Sequence, residues 1–402
     1  MVFGLGAGTV QATSVAATEQ IQENALRQNL DFEGGYPENL VIGSSSTADT
    51  NDMLYAAVNA PNGIFWSNDF AETWHAPTGN ADFGTISDVQ TSDTPGTAFM
   101  IGGINIYRTE NNGETWEELP AVQNVTQSFA TGMDGLLVVA TRNGEVNIST
   151  DDGDNFTTIT SAVTDVAIAA NNTILALVTE ADDTTTLNTV TSAGAIATGL
   201  NGAWSNIATH PEDPNFWVVS GSTNVSYTAN GATGPLTAMT NPAGIEHAQK
   251  AVIRPSGRIY LGNDYTDDNG ATWVNAAISN WISFDDVNGY VYTQTNRGVG
   301  RSDDDGVSYT DKVSGMTGVT VNDLAQDSSK EVVWLAAQGG FAKSENFASS
   351  LAAGTEPTWE FPILPSESSS TGSAVWVDPD QADVVMAAAS DTLFRSDDGG
   401  VT

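Results

Sequence analysis

The residues best placed for chemistry are acids crowded around a glycine, as in RSDDDGVSYTDK, Arg301 to Lys312. Such a cluster is read in three ways: a catalytic carboxylate site, a calcium loop, or a turn. An EF-hand loop requires glutamate at its twelfth position, whereas SDDDGVSYTDKV ends in Val313. The same wording recurs as RTENNGETWEEL, STDDGDNFTTI, YTDDNGATWVNA and FRSDDGG. A catalytic site is written once per domain, so a phrase repeated along the chain points to architecture.

Other chemistry finds little support in the sequence. The three histidines, His75, His210 and His247, share no metal-ligand spacing, and no cysteine is present. HExxH, phosphate-loop, dinucleotide and nucleophile-elbow motifs are missing. No metal or cofactor is expected. A glycoside hydrolase needs two carboxylates about 5–10 Å apart, and among fifty acids the sequence singles out no pair. Arg254, Arg258, Arg297 and Arg301 could line one face, although cations that neutralise acidic neighbours are the simpler reading. Sequons at Asn124, Asn147, Asn155, Asn171 and Asn224 permit glycosylation.

The glycine-centred phrase has a fixed form: Ser/Thr, any, Asp/Asn, any, Gly, any, any, aromatic. The first position supplies a hydroxyl and the third a hydrogen-bond acceptor for backbone N–H groups of its own turn. Glycine supplies φ > 0, and the aromatic returns to an apolar interior. The structural candidates are therefore Asn111, Gly113 and Trp116; Asp151, Gly153 and Phe156; Asp268, Gly270 and Trp273; and Asp304, Gly306 and Tyr309. Asp69 stands in a copy with Ala71 in place of glycine, and Asp398 and Gly400 in a last copy. Ser344 begins a copy with an insertion before Trp359, and worn copies lie near Val190 and Tyr227. No residue is assigned a catalytic role.

Copies start 36 to 42 residues apart, with one interval of 52. Each is preceded by β-rich runs such as TAFMIGGINIYRT and LLVVATRNGEVNIST, and by turns such as HPEDPN. A period near 40 residues with four short strands per unit predicts an all-β protein, a β-propeller of four-stranded antiparallel blades with about nine repeats. The turn joins the third and fourth strands. The predicted organisation is an apolar arm with a short helix over 1–36 and the repeat domain over 37–402, open to incompleteness at its C-terminal side. Val15, Ile21, Ala25 and Leu26 are the apolar members of the helix. The arm either inserts into a partner subunit or caps its own chain.

These residues resemble the Asp-box, or bacterial-neuraminidase-repeat, family, which includes sialidases, sortilin-type receptors, xyloglucanases and photosystem assembly factors. The resemblance covers roughly 38–402 and implies a propeller without fixing an activity. A sialidase relative would imply an arginine triad and an Arg-Ile-Pro element before the first box. Only Arg27 precedes Ser67, and IRP at Ile253–Pro255 comes late.

Composition narrows the setting. The chain has 402 residues and a formal net charge of −38, from 50 acids against 12 Lys and Arg. Phosphate binding needs a basic face, so nucleic acid is excluded as a partner. At about 1 M salt the Debye length falls to roughly 3 Å, which removes most self-repulsion. A halophilic origin follows, with an acidic secreted protein as the alternative. No apolar run reaches the 18 residues expected of a membrane span. The expectation is a non-enzymatic binding or structural propeller of an extracellular assembly, such as a haloarchaeal virus spike or cell-surface component. Its partners would be other subunits through the arm, and a host glycan or receptor. A secreted glycoside hydrolase and a scaffold-type assembly factor are the alternatives.

Overall fold

The computed structural model describes residues 34–35, 53–58, 63–78 and 83–402, apart from 161, 181–183, 192–193, 223, 241–249, 263, 276–281, 286–287, 296–297, 319–320, 338–339, 356, 361, 363–370 and 390–391. The expected helix over 14–30, with His247 and Arg297, lies outside the described residues.

The runs of Val, Ile, Leu and aromatic residues form short antiparallel strands, as their β-branched and planar side chains favour. Hairpins join consecutive strands where left-handed residues supply the turn. Gly103 at φ 60° links Ala98–Gly102 to Asn105–Thr109. Two compact units result, Glu33–Thr320 and a second containing Val321–Thr402. The repeats read alike, so their sequence leaves no mark where one unit stops and the other starts.

Among the described residues the larger unit holds seven antiparallel sheets in chain order, and one short parallel pair, Gly34–Gly35 with Thr317–Gly318. The first pairs Leu54–Ala57 with Ile64–Ser67, and a bridge from Trp66 to His75 extends it. The second contains Ile86–Thr91, Ala98–Gly102, Asn105–Thr109 and Glu117–Gln123. The third contains Val125–Thr131, Leu137–Thr141, Glu145–Ser149 and Thr157–Thr160. The fourth contains Val163–Ile168, Ile174–Thr179, Thr185–Thr191 and Gly194–Gly202. The fifth contains Asn206–Thr209, Trp217–Ser220, Val225–Thr228 and Thr237–Ala238. The sixth contains Val252–Ile253, Ile259–Leu261, Asp264–Thr266 and Val274–Asn275. The seventh contains Ile282–Asp285, Tyr290–Gln294, Val299–Ser302 and Thr310–Asp311.

The core of this unit lies between the sheets, not within a central layer. Phe99, Ile101, Leu119, Phe129 and Val139 join the second and third sheets. Ala130, Val138, Val146, Val166 and Ala176 join the third and fourth. Corresponding clusters fill each later interface. One more cluster joins the seventh sheet to the first, through Tyr292, Val299 and Met316 against Leu54, Phe65 and Trp74. Every interior strand is thus covered on both faces, which is why Leu137–Thr141 and Trp217–Ser220 are buried along their whole length.

The second unit holds two three-stranded sheets, Val321–Gln326, Val333–Ala337 and Gly340–Ser344, then Gly372–Val377, Val385–Ala389 and Thr392–Ser396. Trp334, Phe341, Val375 and Val385 pack between them. Its helix, Phe347–Ala353, falls within the insertion after Ser344 and ends on Gly354 in the left-handed region.

Candidate functional site: the turns and cations between sheets

Each full copy of the repeated phrase begins on the last residue of a third strand. Thr109, Ser149, Thr266 and Ser302 end their strands, and Trp116, Phe156, Trp273 and Tyr309 directly precede the fourth. The first-position hydroxyl is buried and works both ways. Ser302 Oγ donates to Asp304 Oδ1 at 2.7 Å and accepts Gly306 N–H at 2.8 Å. Thr266 treats Asp268 at 2.8 Å and Gly270 at 2.9 Å in the same manner. Asp304 then accepts both the N–H and the hydroxyl of Ser308, at 2.8 and 2.7 Å. Asp268 does the same for Thr272, and Asp398 for Thr402. In the first sheet Asp69 receives Thr73, and in the third Asp151 receives Asn155. The second sheet carries Asn111, whose Oδ1 accepts Thr115 N–H and whose Nδ2 donates to Thr115 Oγ1.

These donors stabilise the charged carboxylate. Hydrogen bonds from Thr272 and Thr266 lower Asp268 to about 2. Bonds from Ser308 and Ser302 bring Asp304 to about 2, and Thr402 and Ser396 bring Asp398 there as well. Acids held so far below neutrality have no proton to give at neutral pH.

The sequence pattern left positions four and seven open, and both carry a role. Position seven is Thr73, Thr115, Asn155, Thr272, Ser308, Thr358 or Thr402, always a polar side chain that meets the third position. Position four takes φ > 0 together with the glycine after it: Asn112, Asp152, Asn269, Asp305 and Gly399. Asn, Asp and Gly tolerate that region best, so both signals were in the aligned copies. Phe70 and Ala71 adopt the same pair of angles without that advantage.

The glycine and the aromatic face the preceding sheet. A Cβ on Gly113 would lie 2.9 Å from Tyr55, and one on Gly270 would lie 2.5 Å from Met239. Trp116 packs on the cluster between the first and second sheets, edge-on to Tyr55 at 5.9 Å. Trp74 donates its backbone N–H to Ser314 O and its indole N–H to Lys312 O, at 2.7 and 2.8 Å. Trp359 closes the copy that carries the insertion: Thr358 N–H reaches Asn346 Oδ1 at 2.8 Å, twelve residues away. Of the worn copies, the one near Val190 is a tight hairpin pairing Thr191 with Gly194. The one near Tyr227 keeps Thr228 Oγ1 accepting Asn230 N–H at 3.2 Å.

Cations complete the interfaces from the residue before the first position. Arg108 donates to the carbonyl of Asp152 in the next turn at 2.8 Å and pairs with Asp154 and Glu110. Arg301 donates to the carbonyl of Phe70 at 2.8 Å and pairs with Glu72 and Asp303. In the second unit Lys343 contacts the carbonyl of Gly399 at 3.0 Å and pairs with Glu345. The three cations thus occupy equivalent positions. Arg254 and Arg258 instead converge on Asp305, at 2.6 and 3.3 Å, and Arg258 also pairs with Asp267 at 2.8 Å. Each of these arginines is bound by acidic neighbours, and Arg301 shares none of them with Arg254 or Arg258.

A second set of carboxylates lies on the first strands, where register shifts occur at Ile86/Asp88, Val163/Asp165 and Val321/Asp323. The shift aims Asp165 at both neighbouring sheets: it accepts Ser128 Oγ and, at 2.7 Å, Ile207 N–H. Asp323 accepts Val375 N–H at 3.0 Å in the second unit. Asp88 receives the side-chain amide of Gln90 at 3.0 Å, which also reaches Phe129 O. Burial pushes Asp88 up to about 6, against the pull of Lys250. His210 Nδ1 accepts the N–H groups of Glu212 and Asp213 within the HPEDPN turn. His75 lies against Trp66, with ring centroids 4.4 Å apart. Among the described residues no group of three or more His, Asp or Glu is placed to hold a metal ion, and no helix is long and apolar enough to cross a membrane.

No protein-family model matches the chain, and no curated protein matches it. Solved structures do. An ancestral GH74 enzyme is 14% identical with a TM-score of 0.63, the match covering 90% of this chain and 59% of the enzyme. The chain therefore spans less than two thirds of that enzyme's length. Virginiamycin B lyase from Staphylococcus aureus is 14% identical with a TM-score of 0.50, the match covering 67% of this chain and 97% of the lyase. Both are β-propellers. With its successive antiparallel sheets packed face to face, the chain has the β-propeller fold.

Proposed function

We propose that this chain is a non-enzymatic Asp-box propeller adapted to high salt, which serves as a binding or structural component of an extracellular assembly such as a virion spike or a cell-surface array. The repeated acidic turns are fasteners, and the carboxylates, hydroxyls and cations that recur are engaged in joining one blade to the next. That engagement is the observation that carries the reading: the cations Arg108, Arg254, Arg258 and Arg301 face acids of the protein itself. Binding would then fall to the loops on the faces, where variation leaves the fasteners intact. Partners are neighbouring subunits, with residues 1–36 as the arm, and a host glycan or receptor. The net charge of −38 supports the high-salt setting through screening. Sedimentation in about 2–3 M salt, where screening is nearly complete, tests the reading together with incubation on polysaccharides. An assembled species that binds glycan without turnover is expected. A monomer that releases sugars contradicts it.

A secreted glycoside hydrolase is the second reading, favoured by Asp88. A carboxyl held near 6 by burial suits a general acid, and the fold likeness to a GH74 enzyme agrees with that chemistry class. Release of reducing ends from soluble glucans, lost in Asp88→Asn, would establish it. An inactive wild-type chain removes it.

A further inference from the structure

We propose that Asn171 is an N-glycan attachment site, selected from five sequons by the folded structure. The five tripeptides are equivalent in sequence but not in environment. Asn147 lies within Glu145–Ser149, is 5% exposed, and accepts Thr158 Oγ1 at 2.7 Å. Asn155 is exposed, but its Nδ2 donates to Asp151 Oδ2 at 2.7 Å and its backbone N–H to Oδ1 at 2.9 Å. Its reacting nitrogen is thus held by a carboxylate. Asn224 is half-buried with Oδ1 enclosed, and its Ser226 is 6% exposed. Asn124 is exposed, but its backbone is fixed at φ 58° between Glu117–Gln123 and Val125–Thr131, with its carbonyl accepting Arg142 N–H at 2.7 Å.

Asn171 differs on each count. It sits at the tip of the hairpin between Val163–Ile168 and Ile174–Thr179, and it is exposed. The turn is fixed by Ala169 N–H to Thr173 O at 2.9 Å and Asn172 N–H to Ala169 O at 2.8 Å. Asn171 Oδ1 accepts Thr173 N–H at 3.2 Å, so the side chain is bent toward the third residue of its own sequon. Nδ2 has no hydrogen bond to another described residue, and the side chain stands at an exposed loop tip, where added bulk is tolerated.

The donor is a sugar linked through its anomeric carbon to polyprenyl diphosphate. A bond forms between Asn171 Nδ2 and that carbon, the carbon–oxygen bond to diphosphate breaks, and one Nδ2 proton leaves to the transferase base. The inference depends on the extracellular reading only for where such a donor is met. Its test is independent of localisation: folded protein is incubated with a single-subunit oligosaccharyltransferase that accepts Asn-Xaa-Ser/Thr and with a polyprenyl-diphosphate glycan, and peptides are mapped by mass spectrometry. The glycan is expected on the peptide holding Asn171 and is lost in Asn171→Gln. Denatured protein should lose the selection, with Asn147 and Asn155 becoming modified. Modification of folded protein mainly at Asn124, Asn147, Asn155 or Asn224, or no modification of folded protein where the denatured control reacts, would overturn the proposal.

Discussion

The sixth and fourth blades solve the same problem in different ways. In the sixth, Thr266–Trp273 forms the full acidic turn and the fourth strand is short, Val274–Asn275. In the fourth blade the third strand turns back at once, and Thr185–Thr191 pairs with Gly194–Gly202 with one register shift at Leu187/Asn188. One edge is held by a side-chain network and an aromatic wedged against the neighbour, the other by backbone ladder bonds. A ladder needs only extended residues and leaves little sequence trace. A turn that seats a ring between two blades requires a hydroxyl, an acceptor, left-handed residues and an aromatic at fixed spacing.

The largest effect is expected at the glycine of the sixth blade's turn. Gly270→Val adds a branched side chain at φ 80°, where a Cβ would meet Met239 Cβ at 2.5 Å. A loss of about 3 kcal/mol or more is expected from overpacking plus backbone strain, read as a drop in the denaturation midpoint. Gly194→Ala in the hairpin has open space around it, and its cost comes from φ 124° alone.

The hydroxyl comes next. Ser302→Ala removes a buried group, 1% exposed, that orients Asp304 and accepts Gly306 N–H. About 1–3 kcal/mol should be lost because the half-buried Gly306 N–H is left without its acceptor. Thr189→Ala, in the ladder blade and bonded to Ile196 O at only 3.4 Å, should change urea unfolding far less.

Acid titration sharpens the contrast between copies. Asp268 and Asp304 fall to about 2 in the folded chain from an unfolded value near ~3.9. Their contribution is complete above the unfolded value and is lost as pH falls toward 2. Amide signals of Thr272 and Ser308 should therefore titrate with midpoints near 2, whereas Thr115, which faces Asn111, should show no such step. The smallest effect is expected at Ile196, 56% exposed on the long fourth strand. Ile196→Lys should alter stability by less than about 0.5 kcal/mol, as at other exposed sites.

Much of this plan was legible in the chain. The glycine-centred copies located the third-to-fourth strand connections, because glycine and the aromatic are constrained at both ends of the turn. Positions four and seven escaped notice because Asn, Asp, Ser and Thr are common everywhere in so polar a sequence. Asp165 and Asp323 escaped because a register shift, invisible in sequence, aims them at the next blade. The division into two units was unreadable for the opposite reason: Arg108, Arg301 and Lys343 make the same contact, although Arg301 links the seventh blade back to the first.

That last link is the point on which the account stands. Trp74→Phe removes the indole bond to Lys312 O while keeping an aromatic in the cluster shared by the first and seventh blades. Native-state hydrogen exchange should then quicken over 310–318 as well as 63–78, with 137–149 unchanged. Faster exchange confined to 63–78 would contradict the fastening of the first blade to the seventh by the acidic turn.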